Sequence, residues 1–159
     1  MSVSISSTPA TAPTTLPRPT VSPSPDAREF WDGADRSELL LPWCRACASH
    51  FFYPRTACPS CGSRDLTWMP ASGRGRIYSF CIHHHTSIPE LREALPFVTA
   101  LITLDEGPRL MSFLIDVAPE PEAIRCDMEV DVTFIPSAQG RSIPAFRPRV
   151  EESPSLGGN

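Results

Sequence analysis

Four cysteines constrain this chain more than any other feature. Cys44-Arg45-Ala46-Cys47 and Cys58-Pro59-Ser60-Cys61 are two C-x-x-C pairs separated by ten residues. Each such turn aims two sulfurs at one point, and two turns supply the four thiolates of a tetrahedral zinc ion. Gly62 follows the second pair, where a left-handed residue lets backbone N–H groups face the sulfurs; the first pair has Ala48 there. Phe51-Phe52-Tyr53-Pro54 lies between them and supplies the hairpin of a ribbon. A redox site needs only one C-x-x-C pair, and disulfides need an oxidising compartment. An iron site of rubredoxin type uses the same ligands, so spacing serves either metal; zinc is the expected ion. Four thiolates leave no open coordination position, so the metal is expected to be structural.

The chain has 159 residues, 41% of them hydrophobic, enough for one compact domain or two very small ones. Its 19 prolines are unevenly placed: Pro9, Pro13, Pro17, Pro19, Pro23 and Pro25 crowd the first 25 residues among Ser, Thr and Ala. Such a segment has little apolar surface to set against its ordering entropy, so residues 1–24 are expected to be a disordered tail. The segment lacks the basic start and apolar stretch of a secretory signal. No run approaches the roughly 18 apolar residues of a membrane span. A soluble, cytoplasmic protein is the expectation. The net charge is −4, and all 14 basic residues are arginine. No basic run of the kind that follows a phosphate backbone occurs after residue 24.

Residues 25–39 read as a short helix, with Ser24 as its cap, Pro25 at the first position, and Asp26 and Glu29 at the positive end. Ala27, Phe30, Trp31 and Ala34 make its apolar stripe. Residues 40–70 form the zinc ribbon. Residues 71–149 hold five short strands, near 74–84, 97–104, 109–116, 129–135 and 143–146, broken by turns such as Asp105-Glu106-Gly107-Pro108. Residues 150–159 are expected to be a flexible tail. Five short strands after a ribbon fit the OB-fold, a small Greek-key barrel.

Other chemistry is sparse. Cys81 and Cys126 fall in or beside strands and read as buried free thiols. His83-His84-His85 alternate across a strand and cannot converge on one metal. No nucleophile–base pair, paired carboxylate site or phosphate-binding loop is present in the pattern, so no catalytic residue is named. Ser72-Gly73-Arg74-Gly75-Arg76 reads either as a linker or as an arginine pair for an anionic ligand.

Taken together, several motifs resemble the family of zinc-ribbon/OB-fold proteins known as domain of unknown function 35, acyl-CoA-associated partners of thiolase-like enzymes. They are Phe30-Trp31, Leu41-Pro42-Trp43-Cys44, Phe52-Tyr53-Pro54-Arg55, Cys58-Pro59-Ser60-Cys61-Gly62, Ser72-Gly73-Arg74-Gly75, Leu104-Asp105-Glu106-Gly107-Pro108-Arg109 and Ile143-Pro144-Ala145-Phe146-Arg147-Pro148. The resemblance covers about residues 26–149; Ala48 and the long tail depart from it.

The resemblance implies a mainly β protein with an N-terminal helix, a rubredoxin-like ribbon and a five-stranded OB barrel. It implies a non-catalytic accessory subunit of a thiolase or thiolase-fold aldolase in lipid, sterol side-chain or aromatic acyl-CoA metabolism. A heterotetramer with a thiolase-like subunit is the expected assembly. Within it, Arg74 and Arg76, with Tyr78 or Phe80, are the candidates for contact with CoA, and Phe30 and Trp31 for the partner interface. A nucleic-acid-binding ribbon/OB module is the competing reading. The acidic net charge and the absence of lysine weigh against it.

Overall fold

In the computed structural model, residues 15–150 are described. The chain opens with a 3-10 turn (Pro25–Ala27) that runs into helix α1 (Arg28–Asp35). Proline at the first position suits the fixed helical φ. Ser24 does not cap with its side chain; its carbonyl accepts the Ala27 N–H at 3.0 Å instead. Strands β1 (Leu40–Cys44), β2 (Ser49–His50) and β3 (Leu66–Pro70) form a three-stranded antiparallel sheet with β1 in the centre. Then come β4 (Arg74–His83), β5 (Phe97–Leu104), β6 (Arg109–Leu114), β7 (Glu129–Pro136) and β8 (Ser142–Pro148). They close a barrel in the order β4-β5-β6-β8-β7. All five were legible as β-rich runs, and closure gives every strand a neighbour on each side.

Alternation fills the barrel. On β5, Val98, Ala100, Ile102 and Leu104 point inward and are buried, packed with Ile77, Leu110, Leu114, Val130 and Phe146. Gly75 is required by this packing: a Cβ there would lie 2.6 Å from the Thr103 carbonyl oxygen and 2.7 Å from Ile102 Cγ2. Helix α1 covers one end of the barrel with Phe30, and Leu39 and Leu41 join the same core from the ribbon side. Arg141 bridges Asp32 and Asp35 at 2.7 Å each, and the Ser142 N–H donates to Asp35 at 2.8 Å. That N–H first, and the guanidinium beside it, outweigh partial burial and hold the Asp35 carboxyl below the usual range. The helix is thereby tied to the start of β8.

A β-bulge in β4 decides which residues face outward. Ile77 pairs with Ile102 but Ser79 with Leu101, so Tyr78 is the extra residue. Strict alternation from the inward Ile77 would carry Ser79 and Cys81 inside. The bulge inverts the parity, so Phe80 and Ile82 pack against the core and Cys81 is exposed. Cys126 is also exposed, in the connection between β6 and β7. Both thiols therefore differ from the buried reading: one was moved by a bulge, and the other lies outside any strand. Of the three histidines, His83 stacks on Phe97 with ring centroids 4.6 Å apart, and its Nε2 lies 2.8 Å from Thr99 Oγ1; His84 and His85 are exposed.

Of the span expected to be an N-terminal tail, residues 1–14 lie outside the described residues. Residues 15–24 run along the barrel without regular structure. Pro17 is buried, the Ala138 N–H donates to the Pro19 carbonyl at 3.3 Å, and the Val21 N–H donates to Gln139 Oε1 at 3.0 Å. Val21 packs against Ile135, Ile143 and Ala145. Composition registers only what a segment can bury by itself; here the barrel provides the opposing surface. The C-terminal residues 151–159 are likewise outside the described range. No described helix is long and apolar enough to cross a membrane.

Candidate functional site

The four cysteines converge. Cys44 ends β1, Cys47 sits in the turn to β2, and Cys58 and Cys61 belong to the second knuckle, with all four sulfurs within 4.8 Å of one another. The Cys44–Cys61 and Cys47–Cys58 Sγ–Sγ distances are both 3.6 Å. A tetrahedral ion with Zn–S bonds of about 2.3 Å separates its sulfurs by about 3.8 Å, so the cage has the size that zinc needs. Both knuckles end in a left-handed residue, Ala48 at φ 50° and Gly62 at φ 74°. Alanine meets the geometry at the cost of Cβ crowding that glycine avoids.

In the second knuckle the two thiols are driven in opposite directions. Burial tends to raise the Cys58 thiol, but the N–H groups of Cys61 and Ser60, with the neighbouring thiols, outweigh it and lower Cys58 to about 6. Cys61 is pushed the other way, to about 12, although the Ser63 backbone favours its thiolate: Cys44, burial and the remaining sulfurs all oppose a second charge. Four thiols this close cannot all ionise without a cation among them, and zinc supplies that charge. Around the cage, Phe51 and Leu66 pack on Cys44 and Cys58. The centre holds one structural zinc ion.

The other candidates are spread over two faces of the barrel. Arg74 lies 3.6 Å from Asp105, while Arg76 pairs with Glu129 and donates to the Asp127 carbonyl at 3.3 Å. Arg149 adds a two-pronged pair to Asp131 and a contact to Glu129 at 3.1 Å, so the β4–β7 side is a neutralised network. Just before it, Glu106 Oε1 accepts the Ser72 N–H at 2.6 Å, which pins the linker between ribbon and barrel. Burial would raise the Glu106 carboxyl, yet the Ser72 hydrogen bonds bring it below its ordinary value.

Tyr78 is 51% exposed, under the Arg109 guanidinium at 3.5 Å from the ring centroid. Phe80 points inward, so the two rings do not share a face. Phe30 is 5% exposed and sits edge-on to Trp31 at 5.2 Å and tilted against Phe52 at 5.3 Å; Trp31 is half-buried. Of the helix pair, it is Trp31 that reaches the surface.

A large apolar residue on that surface, more exposed than Tyr53 or Tyr78, is one that sequence reasoning missed. Met111 on β6 is 59% exposed and is shared by three depressions of about 160, 180 and 320 Å³. The first is lined by Trp31 and Phe52, by Tyr53 and Pro54 of the ribbon, and by Pro144. The available signal was the alternation on β6, which sends Met111 outward between buried Leu110 and half-buried Ser112.

Residues 31–67 match the family described as the ChsH2 rubredoxin-like zinc ribbon domain, and residues 68–134 the ChsH2 C-terminal OB-fold domain. Among curated relatives, the chain is 33% identical over 140 residues to a probable enoyl-CoA hydratase alpha subunit of Thermomonospora curvata. That match spans 87% of this chain and 42% of the relative, so the chain covers less than half of that protein. It is 31% identical over 90 residues to the benzoylsuccinyl-CoA thiolase subunit BbsA of Thauera aromatica, covering 57% of this chain and 58% of that one. A solved structure described as the Ltp2-ChsH2(DUF35) aldolase contains a chain that superposes with a TM-score of 0.72 at 32% identity. The overlap is 84% of this chain and 100% of that one. With cage, ribbon and barrel all in the order those descriptions require, the chain belongs to the ChsH2 zinc-ribbon and OB-fold family, also called DUF35.

Proposed function

We propose that this chain is an accessory subunit of a thiolase-like enzyme, thiolase or thiolase-fold aldolase, acting on an acyl-CoA, and that it carries out no chemistry of its own. The observation that carries the reading is the full-length overlap with the DUF35 chain of an aldolase assembly, at 32% identity. BbsA, named as a thiolase subunit, supports the same partner class. The hydratase name attaches to a protein of which this chain matches 42%, and it is not carried over. Zinc with four thiolates has no position left for water or substrate, so its part is to hold the ribbon rigid. Helix, ribbon and barrel then present a fixed surface to a second subunit.

The test is co-expression with a thiolase-fold subunit from the same organism. The two should co-elute in gel filtration at a mass fitting two copies of each. The Trp31→Ala variant should weaken the complex by more than about 1 kcal/mol if its ring anchors the contact. Elution of a folded monomer beside excess thiolase would end the reading.

The finer part of the proposal is contact with CoA from the start of β4. Arg74 is the better-placed cation: its carboxylate partner is 3.6 Å away and both groups are exposed, an ion pair worth little in water. A phosphate could displace that carboxylate and accept two N–H donors at once. Titration of the assembled complex with CoA should show a several-fold weaker dissociation constant for the Arg74→Ala/Arg76→Ala double variant. An unchanged constant would remove the site.

A further inference from the structure

We propose that the outer barrel face centred on Met111 is where the partner subunit docks, and that the docking surface of the partner is apolar with a carboxylate at its edge. The proposal rests on the accessory-subunit reading and specifies the surface that reading uses.

Three observations lead to it. The first is exposure without need. Met111 follows the core residue Leu110 on β6, yet it is 59% exposed, and Tyr53 at 54% and Tyr78 at 51% are left open as well. Scattered apolar residues are ordinary on a surface, but Met111 lines all three depressions, Trp31 two of them and Tyr53 one, while Tyr78 joins the patch through Arg109, which lies two residues from Met111 and stacks on the Tyr78 ring.

The second observation is residue type. Trp, Tyr and Arg dominate protein interfaces energetically, and methionine adapts to an irregular partner. The face draws them from helix α1, the ribbon segment Tyr53–Pro54, and strands β4 and β6, so zinc and barrel packing together fix their relative positions. The depressions are open to solvent, which suits a protein surface more than a small ligand, which needs a concave pocket closing around it.

The third observation is charge. Arg74, Arg76, Arg141 and Arg149 each have a carboxylate partner. Arg109, two residues from Met111 and stacked on Tyr78, has none among the described residues and donates instead to Thr103 Oγ1 at 3.3 Å. A cation held rigid on an aromatic ring at the edge of an apolar patch is complementary to a carboxylate beside an apolar partner surface.

The experiment uses the full chain with the co-expressed thiolase-fold subunit. Met111→Glu and Arg109→Glu are compared with Arg125→Glu, an exposed change in the connection between β6 and β7, with zinc content and circular dichroism checked for each variant. The expected result is at least a tenfold rise in dissociation constant for both face variants and less than a twofold change for Arg125→Glu. If the native chain binds its partner and both face variants bind equally well, this surface is not the dock, while the accessory-subunit reading stands. A loss as large for Arg125→Glu as for the face variants overturns the assignment too. Intact complexes with weakened CoA binding would make the face a ligand site and overturn it. If the native chain itself forms no complex, the reading and this inference fall together.

Discussion

Cys58→Ser, or removal of zinc by a strong chelator, is expected to unfold residues 40–70. Apart from what Leu41, Phe52 and Trp68 bury against the barrel, the ribbon has little else to hold it. Its own buried cluster is Cys44, Phe51 and Cys58 with Leu66 against them, and two of those three buried residues are the ligands themselves. Structural zinc in small domains contributes about 10–16 kcal/mol of apparent binding free energy, far more than such a cluster. Losing Cys58 removes one corner of the cage, 3.6 Å from Cys47, and leaves three thiolates with the fourth coordination position open. Elemental analysis of the native chain should give close to one zinc per chain, and the near-ultraviolet signal of Trp43, which sits 4.6 Å from the His50 ring, should vanish on chelation. The barrel should keep most of its strand signal, since Leu41 is the one fully buried core residue it takes from residues 40–70, with Phe52 and Trp68 partly buried against it. Partner binding should be lost, because Tyr53 and Pro54 reach the docking face from the ribbon. A metal-free chain with unchanged Trp43 spectrum and thermal midpoint would contradict the structural role.

The second large effect is expected from Phe146→Ala. Phe146 is fully buried at the centre of β8, opposite Val132 on β7 and Leu114 on β6. The β6–β8 seam has one paired position, that of Leu114 with Phe146, and the Phe146 carbonyl accepts the Ile115 N–H at 2.8 Å just beside it. Barrel closure therefore depends on packing at this ring more than on a ladder. Truncating a buried phenylalanine costs about 3–5 kcal/mol, a large part of the about 5–15 kcal/mol that holds a typical domain together. Phe113→Ala, half-buried on the outer side of β6, should cost clearly less. Chemical denaturation of the two variants decides the matter; a loss under about 1 kcal/mol for Phe146→Ala would show that the seam is held by something else.

The metal ligands were legible from residues 44–61 alone because ligand spacing is a local property: two short turns determine where four sulfurs go. The five barrel strands were legible for a similar reason, since alternation and turn residues are written within each segment. The faces those strands present were not. One extra residue at Tyr78 inverts the parity of β4 and moves Phe80 inward and Cys81 outward, and nothing in the run Ile77–Ile82 announces it. The arginines of β4 looked free in the sequence because their partners, Asp105 and Glu129, are 31 and 53 residues away and meet them only after the barrel closes. The helix showed two aromatic rings and no way to rank them. Packing against Phe52 buries Phe30, while Trp31 is left beside Met111. The docking face collects positions 31, 53, 78, 109 and 111, no two of them on a shared local pattern except the last pair. Short-range chemistry is carried by the order of residues; a surface built from separate elements exists only once long-range packing has chosen which side of each element faces water.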